Sequence, residues 1–206
     1  MLPARLSDLP QVLAAEQLII LGHTDLDDGT ILLIGPDEPA FWPHFTASPE
    51  YQDEAPDPLD RWSTRVLTRI ASDADAEPIF PFGGPPFHPF FTWAKASGRF
   101  FASPINFLVH DAAGLFASFR GALKIPEIIG ARAVHAPCTS CDAPCKTACP
   151  VDAFTDGYDV AACKMHINSP AGADCLQQGC RARRACPVGQ GNRIPAQAAF
   201  HMKAFQ

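Results

Sequence analysis

The stretch APCTSCDAPCKTACP, residues 136–150, dominates the C-terminal third of this chain because it places four cysteines within a few turns of backbone. They are Cys138, Cys141, Cys145 and Cys149, and Pro150 follows the last one. In a reducing compartment, thiols clustered in this way bind metal more often than they form disulfides. The stretch therefore predicts a metal-binding loop.

Four more cysteines follow and bring the total to two sets of four. Cys163 stands alone, and then come Cys175, Cys180 and Cys186, the last again followed by a proline. Bacterial ferredoxins use the run C-x2-C-x2-C-x3-C-P, whose fourth cysteine binds the other cluster. The run at residues 138–150 differs from it by one extra residue in the second gap. A cubane cluster needs thiolates from several directions, so three neighbouring cysteines and one distant cysteine suit it.

Thiolate ligands alone leave the metal open, because they select iron–sulfur clusters, zinc or copper(I) alike. Structural zinc sites more often show two separated C-x2-C pairs, and only Cys138 and Cys141 have that spacing. The two Cys-Pro endings favour two 4Fe-4S clusters over a structural zinc site, and over disulfides or inert thiols.

Residues 105–187 resemble the iron–sulfur part of epoxyqueuosine reductase and, more distantly, the cobalamin-dependent reductive dehalogenases. The resemblance rests on INFLVHDAAGLFASFRGAL (105–123), on the run to Cys149-Pro150, on the lone cysteine in DVAACKMHIN (159–168) and on the final Cys-Pro. It implies one cluster on Cys138, Cys141, Cys145 and Cys186, and a second on Cys149, Cys163, Cys175 and Cys180. Three gaps between cysteines are wider than in the family. Epoxyqueuosine reduction is not expected, because the N-terminal half is shorter than the family's corrin-binding domain and no tRNA-binding helical repeats follow.

Composition and charge divide the chain into two expected domains, 1–136 and 137–206. The first contains no cysteine and carries 9 basic and 17 acidic residues, whereas the second carries 7 and 5. A net charge of −6 gives no general attraction to nucleic acid or to anionic membranes. The N-terminus does not read as a secretory signal, and no apolar run approaches the roughly 18 residues of a membrane span. We expect a cytoplasmic protein.

The N-terminal domain reads as α+β, an antiparallel sheet with flanking helices. A helix is expected at 4–17, a hairpin of two strands at 18–23 and 29–35, and a surface excursion at 36–58. A helix at 58–72 should bury Leu59, Trp62, Val66, Leu67 and Ile70. Two antiparallel strands are expected within 105–125, around a turn at 110–114, with His110 and Arg120 as hydrogen-bonded or solvated groups rather than catalytic ones.

The run EPIFPFGGPPFHPFFTW, residues 77–93, contains the candidate cofactor residues. It begins as a strand, breaks at Gly83-Gly84 and restarts as a helix. A glycine pair lets backbone approach a ligand closely, so Phe82, Gly83, Gly84 and His88 are predicted to line a cobalamin or flavin site. The alternative is a tight strand-to-helix turn over a packed aromatic core. No G-x-G-x-x-G run supports a nicotinamide site of Rossmann type.

The sequence therefore predicts an iron–sulfur redox protein, a dicluster ferredoxin-like domain joined to an α+β domain. In one reading it is a reductase whose clusters supply single electrons to a cofactor or substrate at the N-terminal domain, with a redox partner protein as donor. In another it is a plain ferredoxin-type carrier whose N-terminal domain docks a partner. A structural zinc protein is the third. No catalytic residue is assigned.

Overall fold

A computed structural model describes residues 6–130, 134–192 and 194–206 of the chain. The chain forms two compact units. Unit 1 comprises Met1–Phe100 and Ser118–Val134, and unit 2 comprises Phe101–Ala117 and His135–Gln206. The sequence predicts a domain boundary between residues 136 and 137. In the structure, residues 101–117 also pack with the C-terminal unit.

The helices and strands alternate along unit 1, whereas unit 2 is mainly short helices and turns. In chain order they are α1 (Leu9–Ala15), β1 (Leu18–Leu26), β2 (Gly29–Pro36), α2 (Phe41–Thr46), α3 (Pro49–Gln52), α4 (Pro58–Asp73), β3 (Glu77–Ile79), α5 (Phe90–Ala96), β4 (Phe100–Ala102), β5 (Leu108–His110), β6 (Gly121–Ile125), α6 (Val160–Ile167), α7 (Ala173–Gln178), α8 (Arg181–Arg184) and α9 (Pro195–Phe205). None of the helices in the described part of the chain has the length and apolar character needed to span a membrane.

Unit 1 is built on a four-stranded antiparallel sheet in the order β1-β2-β6-β3, which confirms the expected antiparallel sheet. The β1–β2 hairpin is also confirmed, and it closes where Leu26 pairs with Gly29, so Asp27 and Asp28 form the turn. All eight residues of β2 are buried. This strand reads as a nearly continuous apolar run because it is central in the sheet and covered on both faces.

Helix α4 packs its apolar stripe into the core of unit 1, as its helical periodicity predicts. Proline at its first turn needs no intrahelical N–H partner, and the preceding Asp57 has a left-handed backbone, which marks a sharp helix start. The five residues expected on the inward face are all buried: Leu59, Trp62, Val66, Leu67 and Ile70.

Two expectations for the first 58 residues were wrong. The segment expected as a surface excursion contains α2 and α3, and α2 buries Phe41, Trp42 and Phe45. The rings of Phe41 and Phe45 pack edge-on against Trp62, with centroids 5.3 and 6.0 Å away. Burial of these aromatic rings outweighs the loop-favouring prolines and acidic residues around them. The expected helix at 4–17 is shorter, since it is α1 preceded by a 3-10 turn at Leu6–Asp8, and residues 4 and 5 lie outside the described part.

The expected pairing of two strands within residues 105–125 was also wrong. The turn exists, because His110 and Gly114 form an isolated bridge, but β5 lies in a two-stranded sheet with β4. Strand β6 instead lies between β2 and β3 in unit 1. The physical reason is that β2 has a second edge whose backbone groups need partners, and β6 satisfies them.

Unit 2 has a small core in which cysteines take the place of larger apolar residues. Ile105, Val109 and Leu115 from the inserted segment pack with Ala153 and Ala182, and Cys145, Cys149 and Cys186 are buried in the same cluster. Phe107, Phe154 and Tyr158 pack around it. The segment 101–117 belongs to this unit because it supplies much of the apolar surface around the cysteines.

Candidate functional site

Four cysteines from two distant parts of unit 2 line one pocket. They are Cys138, Cys141, Cys145 and Cys186, and Ser103, Val109 and Leu115 from the inserted segment line it too. Cys145 lies in a 3-10 turn, Pro144–Lys146, and Cys186 follows α8. Two short turns and the inserted segment therefore bring this first set together.

Local backbone hydrogen bonds and one left-handed residue shape the loop that carries the first three of these thiols. Ala143 takes a left-handed conformation, with φ of 52°, immediately before the 3-10 turn that carries Cys145. The amide of Cys141 donates to the carbonyl of Cys138 at 3.4 Å. The amide of Ala143 in turn points at the sulfur of Cys141, with an N–Sγ distance of 3.4 Å. The loop thus directs a backbone N–H at sulfur, which stabilises a thiolate.

Burial and the charges of neighbouring cysteines raise the pKa of two members of the first set, Cys138 and Cys145. Burial raises the pKa of Cys138, and the charges of Cys141 and Cys186 raise it further. Burial likewise raises the pKa of Cys145, with contributions from Cys186, Cys138 and Cys141. Several thiolates in one partly buried place repel one another, so the set is stable as four anions only beside a strong positive charge.

The other four cysteines, Cys149, Cys163, Cys175 and Cys180, are those that the resemblance implies for the second cluster, and they are called the second set here. Burial raises the pKa of Cys175, and Cys149 contributes to that rise. Burial also raises the pKa of Cys180, and Cys175 adds to it.

Tyr158 joins the remaining members of this second set. Burial raises the pKa of its phenol, a hydrogen bond with Cys163 raises it further, and the charges of Cys180 and Cys149 act in the same direction. One side chain is therefore near three of the four cysteines. The sequence does not indicate a role for Tyr158, because this residue comes close to the cysteines only when the chain folds.

Backbone amides and arginines partly offset the repulsion in the second set. The amide of Ala153 points at the Cys149 sulfur with an N–Sγ distance of 3.4 Å. The amide of Arg181 lowers the pKa of Cys175, and those of Arg183 and Ala182 lower that of Cys180. These hydrogen bonds lower the two pKa values, but burial raises them and is the larger effect for both Cys175 and Cys180.

The guanidinium groups of CRARRAC, residues 180–186, are held by specific contacts. Arg183 donates from Nε to the carbonyl of Leu115 at 2.7 Å and lies over the ring of Phe116 at 4.7 Å from its centroid. Its charge lowers the pKa of Cys180, whereas the charge of Arg184 lowers that of Cys175. The arginines therefore act on the second set through charge and also pack as structural groups.

The four cysteines of the pocket are those that the family resemblance implies for one cluster, and the ligand sets themselves stay a prediction. All eight cysteines lie in the described part of the chain, and none of them forms a disulfide. No group of three or more His, Cys, Asp or Glu side chains among the described residues is arranged to hold a metal ion.

The candidate cofactor residues of unit 1 lie on a largely exposed loop. Gly83 and His88 are exposed, and Phe82 and Gly84 are half-buried. His88 stacks on Trp93 and Phe82 on Phe80, with centroid distances of 6.0 and 5.3 Å. A Cβ on Gly84 would lie 2.7 Å from the Phe87 ring, so packing within the loop already explains this glycine. A cobalamin or flavin site here stays a prediction.

His110 is a structural group in unit 2, in line with the interpretation as a hydrogen-bonded strand-end residue. It is buried, and its Nδ1 accepts hydrogen bonds from the amides of Ala112 and Ala113 at 3.2 and 2.9 Å. Since Nδ1 is an acceptor, the ring proton of the neutral form is on Nε2, which lies 3.1 Å from the Asp111 carboxylate. His110 thereby holds the turn that ends at Gly114.

Arg120 is the most deeply buried cation described in unit 1. Burial lowers its pKa to about 10, and the nearby carboxylates of Asp60 and Glu38 oppose that shift. Burial in turn raises the pKa of Asp60. The guanidinium therefore lies among carboxylates, an arrangement that compensates its charge.

Comparison of the chain with protein-family models, with curated proteins and with solved structures gave no match.

Proposed function

We propose that unit 2 binds two 4Fe-4S clusters and that the protein transfers single electrons. The observation that carries the proposal is the grouping of the cysteines: Cys138, Cys141 and Cys145 share a pocket with the distant Cys186, while three of the other four, Cys149, Cys163 and Cys180, lie near Tyr158. Four thiolates are the usual ligand set of such a cluster, and in dicluster ferredoxins the last cysteine of the run crosses to the other cluster. Cys149 does so in this proposal.

The residues at each set fit a cluster in donor type and in environment. The thiols are partly or fully buried, which limits the access of water to the sulfur atoms, and amides of Ala143 and Ala153 point at sulfur. The first pocket has about 250 Å³ of empty volume, part of it open to solvent.

A bound 4Fe-4S cluster accepts and releases one electron at a time. The contribution of this chain is to hold the thiolates, to donate hydrogen bonds to them and to place Arg183 and Arg184 beside the second set. Each thiolate of a set binds a different iron, so the proposal does not require three sulfurs to converge on one ion. A structural zinc site does require that, with Zn–S distances of about 2.3 Å.

Metal analysis of protein purified without oxygen tests the proposal directly. We expect about eight irons and eight acid-labile sulfides per chain, and visible absorption that dithionite bleaches. A colourless protein with stoichiometric zinc, prepared in the same way, would contradict it.

Cysteine variants test the assignment of ligands to sets. Cys186→Ala should leave about four irons, because only the first set loses a ligand, and Cys163→Ala should spare the first set in the same way. Ser140→Ala is the matched control, since Ser140 is exposed on the same loop as Cys138 and Cys141. It should keep about eight irons.

The acceptor side of the proposal is an expectation from the resemblance. A reductase would pass electrons to cobalamin, to a flavin or to a substrate at unit 1, whereas a plain carrier would pass them to a partner protein. Titration of the cluster-loaded protein with cobalamin and with flavin, followed by tryptophan fluorescence, separates these readings. Binding at the loop of residues 82–88 should quench Trp93, because His88 stacks on its ring.

A further inference from the structure

Ser103 has a buried hydroxyl that lacks a partner at the first set of cysteines. The residue is 5% exposed, and its Oγ has no hydrogen-bond partner in the described part of the chain. A buried polar group without a partner is costly because it has given up its hydrogen bonds to water, and native proteins contain few of them. Such a group needs an explanation.

The position of Ser103 is fixed by its own backbone. Its amide donates to the carbonyl of Phe107 at 2.9 Å, and its carbonyl accepts from the amide of Asn106 at 2.9 Å. Pro104 follows it and stiffens the turn. The side chain is therefore held in place independently of any hydrogen bond from its hydroxyl.

Ser103 lines the same pocket as Cys138, Cys141, Cys145 and Cys186. The rest of that wall is apolar side chains and prolines: Pro104, Val109, Leu115, Ala143, Pro144 and Pro187. Among the side chains that line the pocket, the cysteine sulfur atoms are the groups that can accept a proton from the Ser103 hydroxyl. Hydrogen bonds to thiolate or sulfide raise the reduction potential of an iron–sulfur site, because they stabilise the extra negative charge of the reduced form.

We infer that the Ser103 hydroxyl donates a hydrogen bond to a sulfur atom of the group held by the first set of cysteines, and so raises the reduction potential of that group alone. Ser103 is a positioning and tuning residue in this inference, and it is not a ligand. The inference rests on the proposed function, since it needs a redox group in the pocket.

The test is a redox titration of the anaerobic protein with dithionite as the electron donor, followed by electron paramagnetic resonance. In Ser103→Ala, the ratio of reduced to oxidised group at the first set should fall about tenfold at a fixed potential, which is about 59 mV for one electron. The potential of the second set should not change. Ser140→Ala, which removes an exposed hydroxyl from the cysteine loop, should leave both potentials unchanged.

Two further variants keep the test decisive if the alanine variant loses iron. Ser103→Thr and Ser103→Val have nearly the same shape and differ by the hydroxyl, so the threonine variant should retain the wild-type potential and the valine variant should not. Equal potentials in wild type, alanine and valine variants, all with about eight irons, would overturn the role of Ser103 and leave the proposed function standing. Wild-type protein without iron would overturn both.

Discussion

Gly114 offers a sharp test of how the inserted segment positions the first set of cysteines. Its φ is +66°, and a Cβ at this position would lie 2.3 Å from the carbonyl oxygen of Val188, two residues after Cys186. Gly189, with φ of +68°, also approaches the carbonyl of Ala113 closely, since a Cβ there would lie 2.7 Å from that oxygen. Two glycines therefore let the turn held by His110 lie directly against the backbone that follows Cys186.

Gly114→Ala should destabilise unit 2 by about 2–5 kcal/mol. A left-handed backbone costs an alanine about 1–2 kcal/mol. The methyl group also overpacks the contact, which costs about 1–3 kcal/mol because the Val188 carbonyl must retreat by roughly 0.7 Å to reach the 3.0 Å that real contacts allow. That displacement moves the chain next to Cys186, so the first set should lose iron before the second.

Hydrogen exchange at the amides of residues 135–206 measures the loss of stability whether or not metal is bound. Tryptophan fluorescence serves as an internal reference, because Trp42, Trp62 and Trp93 all lie in unit 1. The matched control is Gly157→Ala in unit 2, where φ is +109° and nothing lies within 4 Å of an added Cβ. Equal protection and equal iron content in the two variants would refute the close contact as the cause.

Two further predictions concern charged groups. Glu50→Gln should lower the free energy of unfolding of unit 1 by about 1–2 kcal/mol at pH 7, at the low end for a charged hydrogen bond because the Arg65 side chain is half exposed. Since the hydrogen bond from Arg65 holds the pKa of Glu50 below its usual 4.5, that stability is present above about pH 4.5 and is lost as the pH falls through the lowered pKa. Urea unfolding, monitored by tryptophan fluorescence, should give free energies of unfolding for wild type and variant that converge in acid. A difference between these free energies that stays constant down to pH 2 would contradict the ion pair. If the second set holds a cluster as proposed, Arg183→Gln should lower the ratio of its reduced to its oxidised form about two- to fivefold at a fixed potential, or ~0.4–1 kcal/mol, because the charge of Arg183 stabilises the Cys180 thiolate. Unchanged midpoint potentials would show that Arg183 acts only through its contacts with the inserted segment.

Elements with a strong local period were predictable from the sequence. Helix α4 and the β1–β2 hairpin follow from the spacing of apolar residues and from the turn-forming Asp28-Gly29, and both are present. Helix α2 was missed because its prolines and acidic neighbours are typical of loops. Burial of Phe41 and Phe45 against Trp62 outweighs that local preference for a loop. The sequence around α2 does not indicate this contact, because Trp62 lies in another helix.

The sequence by itself determined that eight cysteines occur in two groups ending in Cys-Pro, and that the thiol chemistry is confined to the C-terminal part. Spacing alone did not determine which cysteines meet, and the family resemblance supplied the partition into sets. Only the tertiary structure assigned residues 101–117 to unit 2, brought Ser103 and Cys186 to one pocket and placed Tyr158 beside the second set. The physical reason is that these contacts join segments that are far apart in the chain. Close approach of the backbone and burial determine which of these residues become neighbours, and no periodicity in the sequence indicates them.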